Sequence, residues 1–501
     1  MKKNNLFSGA LILSVGSILA KLFSAVYRIS LTRILGGEGI GIYQLIFPFY
    51  SLCVVLSSAG LPMAISKVVS KNKGNEIGVL KKCFLFTIIV ALILTLILVV
   101  SSKGLATLQG QEQISLCYVI LAPTIILVSA SSVLRGYFQG KHNFIPSSIS
   151  NIIEQFVKMC VGLILSVSLI SVSLFASIVG AVVAIVVSEV VSLVVLLVYI
   201  KKEKLTNGKL ENISIKNLIK DVVPITLTNV VLPISTFIDS VLVVGLLRIN
   251  FSNNISVFLY GLESGAVSSL ISLPTIFSFA IASVILPNLA SLKHSFNKNK
   301  KLTLALKIVL LITIPCVISF TIVPNRLIEV LYQNKLSAYG INGMNIASKL
   351  LTISGFGVVF LAVNQIYSSS LQSVDERFKT VRNLTIAVVV KFVIELLFLP
   401  AKSLNIYILA VSNLVCYLTA MFLNHMEIKQ HFTLKINYNF VAKMVFSNCV
   451  MVFAMVSIMS IENSVQNTIL SFVIAVIVYF ICLFLVNIFN RHDKAMFKYK
   501  V

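Results

Sequence analysis

The chain has 501 residues, 57% of them hydrophobic and only 12% charged, against roughly 45–50% apolar and about 25% charged in soluble domains, so water is excluded as its main solvent. Its formal net charge is +24, but Lys and Arg fall in short runs between apolar segments and build no single basic face, which excludes nucleic acid as a partner. The eight cysteines fall singly, with no CxxC pair, and read as reduced, packed thiols, neither disulfides nor a metal site.

Lys2 and Lys3 precede an apolar stretch in the manner of a signal peptide, but no small-x-small cleavage site follows and Lys21 interrupts the run, so this stretch is read as the first transmembrane helix. A hydrocarbon core of about 30 Å needs around 20 helical residues at 1.5 Å each. About fourteen such spans follow one another, starting near Phe7, Ile40, Val79, Gln113, Phe144, Ser171, Asn217, Phe258, Leu302, Gly343, Val381, Ser403, Tyr438 and Val465. The expected fold is an all-α polytopic membrane protein with two six-helix lobes and two C-terminal helices. No polar stretch between Leu6 and Asn490 is long enough to fold separately, so neither an extramembrane catalytic module nor a cofactor is expected, and the chain is read as a non-enzyme.

An even number of spans puts both termini on one side. The connections sharing that side carry about 29 of the 41 basic residues and the opposite connections about six, which predicts cytoplasmic termini in a cell membrane by the positive-inside rule. The longest connection separates residues 1–200, the N-terminal lobe, from 217–427, the C-terminal lobe; 201–216 is read as cytoplasmic, and 428–501 as two further helices with a cytoplasmic tail. A weak repeat crosses that seam. The stretch "GLPMAISK" after the second span parallels "ILPNLASLK" after the eighth, and Gln139 precedes Lys158 by the interval at which Gln372 precedes Lys391, in keeping with a six-helix repeat.

Ionisable groups at membrane depth cost roughly 2.5–3.5 kcal/mol on insertion scales and mark candidate functional positions. The first span carries Lys21 and Arg28 on nearly one face; the fifth carries Glu154 and Lys158, the sixth Glu189, the seventh Asp239, the eighth Glu263 and the eleventh Lys391 and Glu395. Glu154/Lys158 and Lys391/Glu395 are each four residues apart, which permits an ion pair along one helix. Like charges at Lys21 and Arg28 call for an outside partner, either an anionic ligand in a hydrated cavity or snorkelling to the interface. Asp239 follows Pro224 and Pro233, where missing amide donors favour a kink. Glu263 begins the eighth span near the opposite surface, where water can reach it. The "GGEGIG" run resembles part of a dinucleotide fingerprint, but no strand precedes it, so it is read as a loop between spans. No GxxxxGK[ST] occurs, so the expected energy source is an ion gradient or the membrane potential.

Two stretches carry a family resemblance: "GIYQLIFPFYSLCVVLSSAGLPMAISK" from Gly41, and "LRGYFQGKHNFIPSSISNIIEQFVK" from Leu134, with Arg135, Gly136, Gln139 and Gly140 in its RGYFQG run. A weaker match is "FIDSVLV" at Phe237 followed by "LYGLESGAVSSLISLPT". On these the chain resembles the stage V sporulation protein B family of polysaccharide exporters, in the multidrug/oligosaccharidyl-lipid/polysaccharide flippase superfamily. The resemblance implies two six-helix lobes that alternately open a central cavity, with Lys21 and Arg28 in the territory where related lipid II flippases hold cations against a lipid-linked pyrophosphate. The second span has no basic residue before Lys67, where some flippases place an arginine. The implied partners are a lipid-linked anionic glycan, membrane lipids and a coupling ion, in peptidoglycan or spore cortex synthesis.

Two other functions compete with flipping of such a precursor. A cation-coupled multidrug exporter of the same fold would use Asp239 and Glu263 as its acidic cavity. A non-transporting scaffold for envelope synthesis would need its buried charges only as ion pairs. Fold alone does not separate them.

Overall fold

The computed structural model describes residues 2–71, 76–203, 206, 215–290, 295–402, 404–434, 437–460 and 464–489. Most of the predicted connection 201–216 and all of the tail after Phe489 lie outside them. Among the described residues the chain is helical throughout, with one isolated bridge between Ala338 and Ile341.

The helices are α1 (Lys2–Ser58), α2 (Leu61–Lys71), α3 (Glu76–Leu108), α4 (Ile114–Gly140), α5 (Ile145–Leu169), α6 (Leu174–Lys202), α7 (Ile215–Leu247) and α8 (Asn253–Gly261), which continues through a π segment, Leu262–Val267, into α9 (Ser268–Ala290). They go on with α10 (Ser295–Ile322), α11 (Pro324–Tyr332), α12 (Gly343–Gln372), α13 (Arg377–Phe398), α14 (Tyr407–His431), α15 (Tyr438–Met459) and α16 (Val465–Leu485). Among the described residues, twelve helical stretches are long and apolar enough to cross a membrane. One of them, Val15–Ser70, contains the break at Gly36 and supplies two passes; α13 adds another despite its charges. The fourteen expected passes are thereby accounted for.

The "GGEGIG" run differs from the expected loop. Helix continues through it, interrupted only at Gly36, whose φ of 68° and ψ of −173° redirect the axis. A left-handed φ of this kind is open to glycine at little cost, so two passes join without an intervening polar turn.

Apolar side chains also cover the outside. Along α3, Leu85, Leu92, Leu96 and Val100 are exposed, Val100 by 75%, a surface compatible with hydrocarbon because the helix satisfies its own backbone. At the ends, polar residues close the helices: Ser173 accepts a bond from the Ala176 amide at 3.0 Å at the start of α6, and Lys201 and Lys202 occupy its last turn, where they complement the negative pole of the helix dipole.

The chain divides into two compact units. The first holds Met1–Leu270 with Lys335–Gly343 and Phe392–Leu409; the second holds Ile271–Asn334, Met344–Lys391 and Ala410–Val501. This division keeps α7 and α8 with the first unit, whereas the sequence places a lobe boundary at 201–216. The reason is visible in the glycines: Gly41 and Gly261 bring α1 and α8 together so closely that a Cβ on either would collide with the other helix.

In the first unit, one core cluster joins Leu61, Ile65 and Val69 of α2 to Val79 and Cys83 of α3 and to Leu134, Tyr137 and Phe138 of α4. Gly136 and Gly140, four residues apart, form the flat surface against which Ile65 and Val69 rest, the small-xxx-small device of membrane helices. In the second unit, one cluster joins α9, α10, α12 and α14 through residues such as Leu289, Leu306, Ile366 and Ile428. Another joins α10, α15 and α16 through Leu311, Met451 and Tyr479.

Candidate functional site

The first unit contains a connected set of buried polar groups. Arg135, at the start of the RGYFQG run on α4, donates from Nη2 to Glu154 Oε2 at 2.7 Å and to Ser192 Oγ at 2.9 Å, and from Nε to Ser150 Oγ at 3.2 Å. Ser192 donates to the same carboxylate oxygen at 3.3 Å, and Gln155 donates to the other oxygen at 2.8 Å. One guanidinium thus ties α4, α5 and α6 together. Glu154 has its ion pair with Arg135, on another helix, instead of with Lys158 on its own. Lys158 points its ammonium to the Tyr27 ring on α1, 5.7 Å from the centroid. Glu189, on α6, is nine-tenths buried and lies within electrostatic reach of Glu154, Arg135 and Lys158.

A second polar group surrounds the π segment. A π turn leaves carbonyls free that an α-helix would satisfy, and such turns recur at functional sites. Here the Ser264 carbonyl accepts from Gln44 Nε2 at 2.7 Å and from Arg28 Nη2 at 3.4 Å, so α1 is fastened to the π segment through two side chains. Glu263, in the same segment, is only 5% exposed, which corrects its expected hydration. The helix starts at Asn253, five residues before the predicted Phe258, so Glu263 sits about 15 Å along the helix.

Asp239 is buried on α7, which runs unbroken from Ile215 to Leu247 through both prolines. Beside it, Ser240 Oγ accepts from Gln109 Nε2 at 3.1 Å. Gln109 also donates to the Leu45 carbonyl at 3.0 Å, and the Tyr118 hydroxyl donates to Gln109 Oε1 at 2.8 Å. Lys21 and Arg28 on α1 are half-buried. Lys391 falls in the second unit and Glu395 in the first, and both are buried.

Outside the hydrocarbon, Lys141 follows α4 and pairs with Glu76 at 2.9 Å and Glu203 at 3.3 Å. Burial works against its charge, but hydrogen bonding to Tyr137 and Glu76 outweighs this and holds the ammonium protonated well above the usual lysine range. The second unit has its own ion network, in which Glu427 takes Lys379 at 3.1 Å and Arg382 at 2.7 Å, and Lys379 also takes Glu376 at 3.1 Å. Behind it, Asn383 donates to Asn424 at 2.9 Å and Asn424 to Asn364 at 2.7 Å. Sequence reasoning did not single out these asparagines, Gln44 or Lys307. Lys307 is 6% exposed, 5.4 Å from the Phe440 ring centroid. An earlier helix start, at Ser295 instead of Leu302, would have placed it at depth.

The profile described as "Polysaccharide biosynthesis protein" matches residues 6–293. The uncharacterized membrane protein YabM of Bacillus subtilis (strain 168) is 33% identical over 167 residues, 33% of this chain and 31% of that protein. Stage V sporulation protein B of the same organism is 32% identical over 166 residues, 32% of each chain; the matched stretches thus span about a third of these two relatives. Lipid II flippase MurJ of the same organism is 23% identical over 459 residues, 85% of this chain and 83% of that one. Among solved structures, lipid II flippase MurJ in an inward closed conformation aligns with a TM-score of 0.69 and 16% identity, covering 93% of this chain and 98% of that one. An inward-facing multidrug resistance MATE family transporter aligns at 0.64 and 15%, covering 85% and 98%. These structural likenesses establish the fold.

Proposed function

The chain belongs to the polysaccharide biosynthesis protein family, and from that premise we propose that it flips a lipid-linked cell-wall glycan precursor, of the lipid II kind, by alternating access. At the coarser level it is a multi-pass membrane transporter of the flippase superfamily. The observation that carries the finer reading is the cationic face of α1. Arg28 stands beside Gln44 at an opened backbone carbonyl, and Lys21 lies seven residues away on the same helix.

A pyrophosphate must leave the hydrated headgroups to cross an apolar layer, and fixed cations lower that cost by replacing water contacts. Arg28 offers a planar fork suited to phosphate oxygens; Lys21 offers a point charge. The 3.4 Å bond from Arg28 to Ser264 is long for a hydrogen bond, and a charged phosphate oxygen is a stronger acceptor for a guanidinium than a backbone carbonyl.

Purified protein is expected to bind lipid II and not a cationic dye. In vesicles, Lys21→Ala should lose flipping of a labelled lipid precursor at matched protein level, and Lys21→Glu should be worse because it adds repulsion. Parental flipping by Lys21→Glu would sink the proposal. Cation-coupled drug export is the second reading, favoured by the buried carboxyls of Asp239 and Glu263 and by the fold shared with a multidrug transporter; dye binding lost in Asp239→Asn would select it.

A further inference from the structure

Glu189 has no part in the lipid-phosphate reading, yet it is the buried acid of the first unit whose surroundings are most unusual. It is 9% exposed. Among the described residues its carboxyl makes no hydrogen bond and no ion pair within 4.0 Å, although three other helices present charged or polar groups towards it: Glu154 and Lys158 from α5, Arg135 from α4 and Tyr50 from α1. Those neighbours are engaged elsewhere. Arg135 is spent on Glu154, Ser150 and Ser192, Lys158 lies over Tyr27, and the Tyr50 hydroxyl, which accepts from Thr124 at 2.9 Å, makes no hydrogen bond to the Glu189 carboxyl.

An ionised carboxylate at such a place is held neither by a donor nor by bulk water, and its solvation cost is reduced by taking up a proton. The residual exposure leaves a route for that proton. We propose that Glu189 is a proton-binding site, the group through which the first unit takes up and releases H⁺. In uptake, one carboxylate oxygen forms an O–H bond with a proton delivered by hydronium, leaving water behind; release is the reverse, and no other bond changes.

The fixed charges around it give this proton a consequence. With Glu189 ionised, Arg135 and Lys158 are balanced by Glu154 and Glu189. Protonation leaves one positive charge in excess, and the Arg135–Glu154 pair, locked by two serines and Gln155, is not free to absorb it. Lys158 is the cation without a carboxylate, and it points to α1, the helix of Lys21 and Arg28. Proton occupancy therefore sets the net charge of this interior, and a proton gradient becomes a source of energy for a chain that has no phosphate-binding loop.

Infrared difference spectroscopy of the purified protein, stepped in pH in H₂O and D₂O, tests the site without any substrate. The parent is expected to show a protonated-carboxyl band that disappears on raising the pH. Glu189→Gln should lack it, and a pH-jump followed with an indicator dye should release about one proton fewer per chain. Glu189→Asp, which keeps the acid, should retain a shifted band, so loss in Glu189→Gln reports the carboxyl and not misfolding. A band unchanged in Glu189→Gln, or no titrating band in the parent, would overturn the proposal while leaving lipid II binding untouched.

Discussion

Replacing Arg135 by Leu removes the donor shared by Ser150, Glu154 and Ser192 and leaves Glu154 at depth with only Ser192 and Gln155. Breaking a buried pair from one side costs about 3–5 kcal/mol. Because the side chains of Arg135 and Glu154 remain 20% and 11% exposed, we expect a loss of about 3 kcal/mol at neutral pH. At about 2 °C per kcal/mol for a large domain, the midpoint should fall by about 6 °C. The chain has no Trp, but Cys83 and Cys117 are fully buried and can report unfolding through a thiol-reactive fluorogenic dye, with the exposed Cys449 replaced by Ser. The double variant Arg135→Leu/Glu154→Leu should recover most of the loss, because no unpaired charge is left behind. A double variant no more stable than Arg135→Leu alone would refute the reasoning.

Other predictions rest on different contacts. Gly261→Leu should destabilise the first unit by about 1–3 kcal/mol through overpacking against Gly41, seen as a smaller monodisperse fraction by fluorescence-detected chromatography; a parental profile would show that the α1–α8 approach is slack. Lys141→Ala should lose less than about 1 kcal/mol, since the pair is partly solvated. Its folded-state midpoint lies above the lysine range, so the contribution is complete below that range and fades only as pH rises through the folded value; the parent-to-variant difference in unfolding midpoint should stay level from about pH 6 to 9. For topology, a reporter fused after Val501 should face the cytoplasm and one inserted near Leu336 the outside, and protease protection of both on one side would contradict the span count.

Hydrophobic length and spacing made the passes legible, to the point that Gly343, Tyr438 and Val465 were placed at the residues where α12, α15 and α16 begin. Helix-local rules failed where partners come from elsewhere in the chain. The four-residue spacing of Glu154 and Lys158 suggested each other, whereas the carboxylate is claimed by Arg135, 19 positions away, because a guanidinium reaching across from α4 can bond a carboxylate and two hydroxyls at once. In the sequence Arg135 stands out only as part of a motif. The π segment left no periodic signature, since one wide turn barely changes the apolar pattern of Leu259 to Leu273, and Gln44 was passed over because it carries no charge.

The wide turn at Leu262–Val267 also has a bearing on how the chain aligns with its kin. A π turn holds one residue more than the α turn it replaces, which amounts to a single-residue insertion absorbed in place. Without it, the residues that follow within the first unit, 268–270, would be rotated by about 100° about the helix axis relative to α8. Gly261, before the segment, packs against Gly41, and Gly265, inside it, against Ile40, so both glycines of the first unit face α1 around the wide turn. A relative whose eighth pass is uninterrupted α-helix should align here with a one-residue gap.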